Sequence, residues 1–339
     1  MASGKVARRA AVGEIGTLLD SPEVAALIVE LDALRGMNKG RRGFGSRALV
    51  GACLVKSLYG LPTWTRTASL IADHPGLQDA LGGCPSVWAC YRFTVKLREH
   101  SSALADCLDR VMLALQATLP GLGGDVAIDA SDMPAFANGQ RYVSNGGPER
   151  ERFSDPDASW GHRSAVSTRK GGGFYGYKLQ LAVCTATSLP LAWQVETARR
   201  HESLYVAPLL DKLHARGFKP RTAALDKGYD SNRVHAECAE RDVLPVIPIK
   251  GERASQIVMP IIEAATRFNP RIQRHTQEYR YLYRRRVAVE REFGRLKHDY
   301  ALAPLRVRGL ARVQLHADLV MLARLALALH RVQALSAAA

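Results

Sequence analysis

The run Pro120-Gly121-Leu122-Gly123-Gly124 divides the chain into two stretches with different hydrophobic periods. Proline removes a backbone donor and glycine admits positive φ, so neither helix nor strand runs through such a segment. Upstream, apolar residues recur at helical spacing. Ser46 to Tyr59 predicts a helix ending at Gly60. Ser86 is placed to cap a second helix carrying Val87, Tyr91, Phe93 and Leu97, and a third runs from Ala103 to Leu119. Downstream, short apolar runs alternate with helical ones. Val126 to Ala130, Tyr175 to Cys184, Leu189 to Glu196, Thr222 to Leu225 and Val243 to Ile249 read as strands. Helices are expected at Leu204–Leu213, Asn232–Glu240, Arg284–Tyr300 and Ala311–Ala334. Residues 138–173 read as a long loop, and 250–282 as basic, irregular chain. The resulting domains are 1–122 (helical) and 123–335. The order of elements in the second is three strands, helix, strand, helix, strand, helix. That order suits an α/β, ribonuclease-H-like fold, a mixed sheet flanked by helices.

Charge narrows the partners. Forty-seven Lys and Arg against 32 Asp and Glu leave a net +15, a field suited to a polyanion. Blocks such as Arg284-Arg285-Arg286 match bidentate phosphate contact, although an arginine-rich solvated surface gives the same totals. The six cysteines form no C-x-x-C pair and suit a reducing, cytoplasmic setting. Leu319 to Leu329, the most apolar stretch, is too short for a bilayer and contains Arg324. Met1 to Lys5 is followed by no apolar run of the kind found in signal peptides. No membrane association is expected.

Asp129 and Asp226 each follow a short apolar strand, and open α/β sheets gather ligand sites at such strand ends. Converging carboxylates repel unless a cation or proton compensates. On the helix expected from Arg284, a turn of about 100° per residue puts Tyr283, Arg286, Glu290 and Lys297 in an arc of roughly 60°. Val289, Phe293, Leu296 and Tyr300 form the adjoining core stripe. Glu290 then stands at the edge of the buried face, while Glu292 is expected in solvent. Asp132 should point away from Asp129 across the strand, in a supporting position. Adjacent His201 and Glu202 diverge by about 100° on a helix and are set aside as a metal pair.

Tyr283-x2-Arg286-x3-Glu290-x6-Lys297 resembles the Y-(2)-R-(3)-E-(6)-K signature of bacterial insertion-sequence transposases with a DDE catalytic domain. Ala127-Ile128-Asp129-Ala130-Ser131 is similar to that family's first-aspartate strand, and Phe174 to Leu179 to the strand after it. Leu225-Asp226-Lys227-Gly228-Tyr229-Asp230 is similar to its D-x-G-Y-D motif. The resemblance implies Asp129, Asp226 and Glu290 as catalytic acids holding two Mg²⁺ ions, with Mn²⁺ as a substitute. In two-metal sites the ions stand about 3.5–4 Å apart. It also implies that Tyr283, Arg286 and Lys297, and more weakly Lys178 and Tyr229, contact DNA. The reaction implied is cleavage at terminal inverted repeats and joining of the 3′ ends to target DNA, in a complex of at least two protomers. By the same resemblance, the helical domain binds the DNA ends or dimerises, with Arg41-Arg42 and Arg92 to Arg98 as phosphate contacts. A metal-dependent nuclease of the same fold and a non-catalytic DNA-binding regulator remain alternatives.

Overall fold

The computed structural model describes residues 10–34, 43–138, 153–163, 171–249, 267 and 270–337. Arg41-Arg42, most of the expected loop and residues 250–266 lie outside that set. The chain separates into two compact units: Leu119–Phe293, and Met1–Thr118 together with Gly294–Ala339. The C-terminal stretch, expected with the sheet, thus groups with the N-terminal helices.

The helical unit begins with α1 (Val12–Asp20), α2 (Pro22–Ala33), α3 (Ser46–Leu58), α4 (Trp64–Asp73), α5 (Pro75–Leu81), α6 (Val87–Glu99) and α7 (Ser101–Thr118). The Ser86 hydroxyl accepts from the N–H of Ala89 and caps α6 as expected; Thr63 caps α4 through Arg66. The unit closes with α12 (Leu310–Ala337), longer than its sequence pattern indicated. By length and composition α12 is sufficient to cross a membrane. It packs instead on α3 and α7, burying Val313, Val320, Leu322 and Leu325. Its apolarity is that of a core helix. Near its end Arg331 grips Glu14 of α1 at 3.0 and 3.2 Å.

The other unit is built on one mixed sheet. Its strands are β1 (Asp125–Pro134), β2 (Ser159–Arg163), β3 (Gly172–Cys184), β4 (Pro190–Thr197), β5 (Thr222–Ala224) and β6 (Leu244–Val246). β1 lies between β3, antiparallel to it, and β5, parallel to it; β6 continues parallel beyond β5. β4 and β2 pair with successive stretches of β3. α8 (Val206–Ala215) and α9 (Asn232–Ala239) connect the parallel strands. β2 falls inside the segment read as loop: Ser-Trp-Gly-His carries little apolar alternation, and its pairing with β3 is a long-range event. Just before it, buried Asp155 accepts from the hydroxyl of Tyr177 at 2.6 Å.

Two further expectations change. Residues 277–282, expected to be irregular, belong to α10 (Gln277–Arg284), capped by Thr276. The single helix expected from Arg284 is broken at Arg285 and Arg286, so α11 starts at Val287 and ends at His298. β1 also runs on past Ala130, so Asp129 sits inside the strand and not at its end.

Gly176 shows how tightly the sheet is drawn at the junction of β1, β2 and β3. A Cβ there would lie 2.8 Å from the amide nitrogen of Ala135 and closer still to the carbonyl oxygen of Met133. Both are backbone atoms that cannot swing aside. Gly176→Ala is expected to cost about 1–3 kcal/mol, read as a lowered urea midpoint; an unchanged midpoint contradicts the close approach.

Candidate active site

The strand register brings the first two acids together. Ala127 aligns with Ala224 in the parallel β1–β5 pair, so Asp129 and Asp226 each stand two residues further along neighbouring chains. Asp226 leaves β5 and caps a short 3-10 turn, Lys227–Tyr229, its carboxylate accepting from the Gly228 N–H. The next acid, Asp230, turns inward. It takes a bidentate pair from Arg267 at 2.8 and 2.6 Å and faces His235 at 3.3 Å. This buried cluster fixes the turn that aims Asp226. The closing aspartate of the D-x-G-Y-D run is therefore a brace.

The third acid arrives from α11. Arg286, just before the helix, reaches Asp129 Oδ2 at 3.3 Å and also bonds the Glu290 carboxylate one turn later. One guanidinium thus spans two acids that lie far apart in sequence. Arg286 and Glu290 form an i,i+4 ion pair, and the arginine does more than pair locally. Tyr283 belongs to α10, on the other side of the helix break. Its ring stacks on Tyr279 with centroids 6.0 Å apart, and Arg286 lies 6.0 Å above it. Lys297 lies beyond Gly294, on the half of α11 that belongs to the helical unit.

Glu292 departs from expectation. It is fully buried, with Ala288, Val289 and Leu296. The buried arc of α11 is wider than the four-residue stripe, and it takes in Glu292 on the side away from Glu290. Half of the Glu290 side chain stays exposed.

Electrostatics set Asp129 apart. Its side chain keeps 19 % of its surface exposed but is otherwise enclosed. Burial pushes its carboxyl up to about 7, and Asp226 and Glu202 add to the rise; the Ala130 N–H and Arg286 pull the other way. Glu202 is the residue that sequence reasoning dismissed. It lies on the 3-10 turn Glu202–Tyr205, capped by His201. The two side chains do diverge, but Glu202 turns toward β3 and pairs with buried Lys178 at 2.5 Å. Tyr229, also buried, feels Asp129, Glu202, Asp226 and Arg286. Its place as the tyrosine of the D-x-G-Y-D run was the hint in the sequence.

Among the described residues, no group of three His, Cys, Asp or Glu side chains is placed to hold a metal ion. Asp226 is bonded to the Gly228 N–H, and Glu290 to Arg286. The donor set still suits a hard divalent cation: it is all carboxylate oxygen, and it includes a desolvated Asp129 whose charge calls for a positive partner.

The raised Asp129 value carries a stability signature. An ordinary Asp titrates near 3.9, so the folded protein retains a proton that the unfolded chain releases between roughly pH 4 and 7. Stability therefore falls as pH rises through that window. In metal-free buffer, Asp129→Asn should melt several degrees above wild type at pH 8, reflecting at most about 4 kcal/mol, with a smaller gap at pH 5. Equal melting temperatures at pH 8 contradict the desolvation of Asp129.

No curated protein matches the sequence significantly. The profile of the transposase DDE domain family matches residues 121–326, more than half of the chain and the whole span from β1 to α11. The family acts on DNA and generally uses divalent metal ions. The chain belongs to the transposase DDE domain family.

Proposed function

We propose that this transposase cuts DNA at the terminal inverted repeats of its element and joins the freed 3′ ends to target DNA, with Asp129, Asp226 and Glu290 as the acids of its site. The observation that carries the proposal is Arg286 spanning Asp129 and Glu290 while Asp226 stands in register beside Asp129. Three acids and one cationic side chain from three separate chain segments have no structural need to meet in a crevice. The strand order β4-β3-β1-β5-β6, with β5 and β6 parallel to β1, supports a ribonuclease-H-like sheet.

Asp129, Asp226 and Glu290 would hold two Mg²⁺ ions, or Mn²⁺ in their place. Bound there, such ions activate the attacking oxygen and neutralise the leaving one. The chain's own residues do the rest. Arg286, released by its acids, offers a planar donor fork to a non-bridging phosphate oxygen. Tyr283, fixed by stacking on Tyr279, is a candidate for DNA contact, and so is Lys297. In the joining step the 3′-hydroxyl oxygen attacks a target phosphorus, the target P–O3′ bond breaks, and the departing oxygen takes a proton. Uniting two ends of one element calls for at least two protomers, and the helical unit is the candidate for end binding or pairing.

Two experiments bear on this. A pre-cut duplex ending in the inverted repeat that flanks the gene is incubated with supercoiled plasmid and Mg²⁺. Joined product is expected; hydrolysis alone makes the chain a nuclease, and binding without either makes it a regulator. Separately, Glu290→Ala should bring Mg²⁺-dependent cleavage down to background while duplex binding in a gel shift is unchanged. Glu292→Ala should lower the melting temperature instead. If Glu290→Ala cuts normally, Glu290 is not the third acid.

A further inference from the structure

The assignment of three acids leaves two polar groups unexplained, the buried phenol of Tyr229 and the carboxylate of Glu202, whose side chain is 34 % exposed. The Tyr229 side chain is 2 % exposed, and its hydroxyl has no hydrogen-bond partner. Buried hydroxyls without partners are rare and call for a cause. Tyr229 ends the short turn that Asp226 caps, that turn packs on the one carrying Glu202, and the charges it feels are those of Asp129, Glu202, Asp226 and Arg286. Glu202 is the second such group. Its turn is tied to α9 by Arg233, whose guanidinium bonds the Ser203 hydroxyl at 3.2 Å. Lys178, buried on β3, holds its carboxylate at 2.5 Å. Nothing in the three-acid scheme requires a fourth carboxylate within electrostatic reach of Asp129, held in place by a buried lysine.

We infer that Glu202 and Tyr229 are positioning residues for a hydrated divalent cation, contacting the water around it while Asp129 and Asp226 take the cation itself. The chemistry fits both groups. A carboxylate already balanced by Lys178 is a poor direct ligand for a dication but a good acceptor from a polarised water. A phenol that lacks a partner can exchange a hydrogen bond with such a water. Outer contacts of this kind orient the inner ligands, and losing one typically weakens metal binding 10–100-fold. The inference rests on the reading of Asp129 and Asp226 as cation ligands.

The test uses the full chain without DNA, titrated with Mn²⁺ and followed by the electron paramagnetic resonance of the free ion. Glu202→Gln is expected to raise the Mn²⁺ dissociation constant about tenfold, with partial recovery in Glu202→Asp. Tyr229→Phe removes only the unpartnered oxygen. It should leave the metal-free melting temperature unchanged, raise the Mn²⁺ dissociation constant several-fold and reduce the melting-temperature gain produced by Mn²⁺. A purely structural role would move metal-free melting instead. Asp226→Asn separates the two levels of inference. If it abolishes Mn²⁺ binding while Glu202→Gln and Tyr229→Phe bind as wild type, this inference falls and the three-acid site stands. If Asp226→Asn also binds as wild type, the three-acid site itself is wrong. Should Glu202→Gln fail to fold, Tyr229→Phe alone decides.

Discussion

The sheet unit depends on placing a carboxylate, Asp129, where water cannot easily stabilise its charge. Desolvation of this kind is costly unless a positive group stands nearby, and Arg286 is the positive group the chain provides. Much of the local architecture follows from its dual reach. To touch Asp129 and Glu290 together, Arg286 must stand just ahead of α11, with Glu290 in the first helical turn. A continuous helix from α10 would have pointed Arg286 along its own face. The break at Arg285 and Arg286 frees it. It also puts Glu290 near the positive end of the α11 dipole, where an acid is favoured by typically 0.3–1 kcal/mol.

The second acid is set by the sheet and by a buried brace. Parallel pairing fixes how far β1 and β5 advance together, so the approach of Asp129 and Asp226 follows from register. The turn after β5 is then held by Asp230, gripped by Arg267 and faced by His235. A loop carrying an acid would ordinarily be free to swing. Here the residue four positions on is anchored to a guanidinium from a distant part of the chain, and Asp226 itself caps the turn.

Local patterns carried a good part of this. The cap at Ser86, the helical period before Pro120 and the apolar strands Val126, Tyr175 and Thr222 depend on residues near in sequence. The spacing of Tyr283, Arg286 and Glu290 pointed to one face, and Arg286 and Glu290 do meet. What failed is what only tertiary contact decides. Tyr283 falls on another helix, because a run of arginines signals neither cap nor breaker. Glu292 is buried since the core-facing arc of α11 extends farther round the helix than its large apolar residues show. β2 owes its existence to an edge offered by β3, and α10 to a Thr276 cap in a stretch dominated by charge. Glu202 was discounted because its neighbour His201 diverges from it. Divergence from a neighbour says nothing about what lies across the sheet, and there stands Lys178.

Arg286 and a divalent cation compete for the same acids, and that competition links cation loading to DNA engagement on the reading proposed above. A cation drawn to Asp129 and Glu290 repels the guanidinium that now bridges them, and a freed guanidinium in a crevice needs an anion. A DNA phosphate supplies one. Linkage is reciprocal: phosphate that draws Arg286 away exposes the acids and tightens cation binding by the same factor. The net +15 of the chain serves that exchange, since phosphate is the counterion its surroundings concentrate. An arginine fixed to the acids by burial would block the site. With a side chain 18 % exposed and bonded to both acids, Arg286 must give up those bonds before it can meet a phosphate.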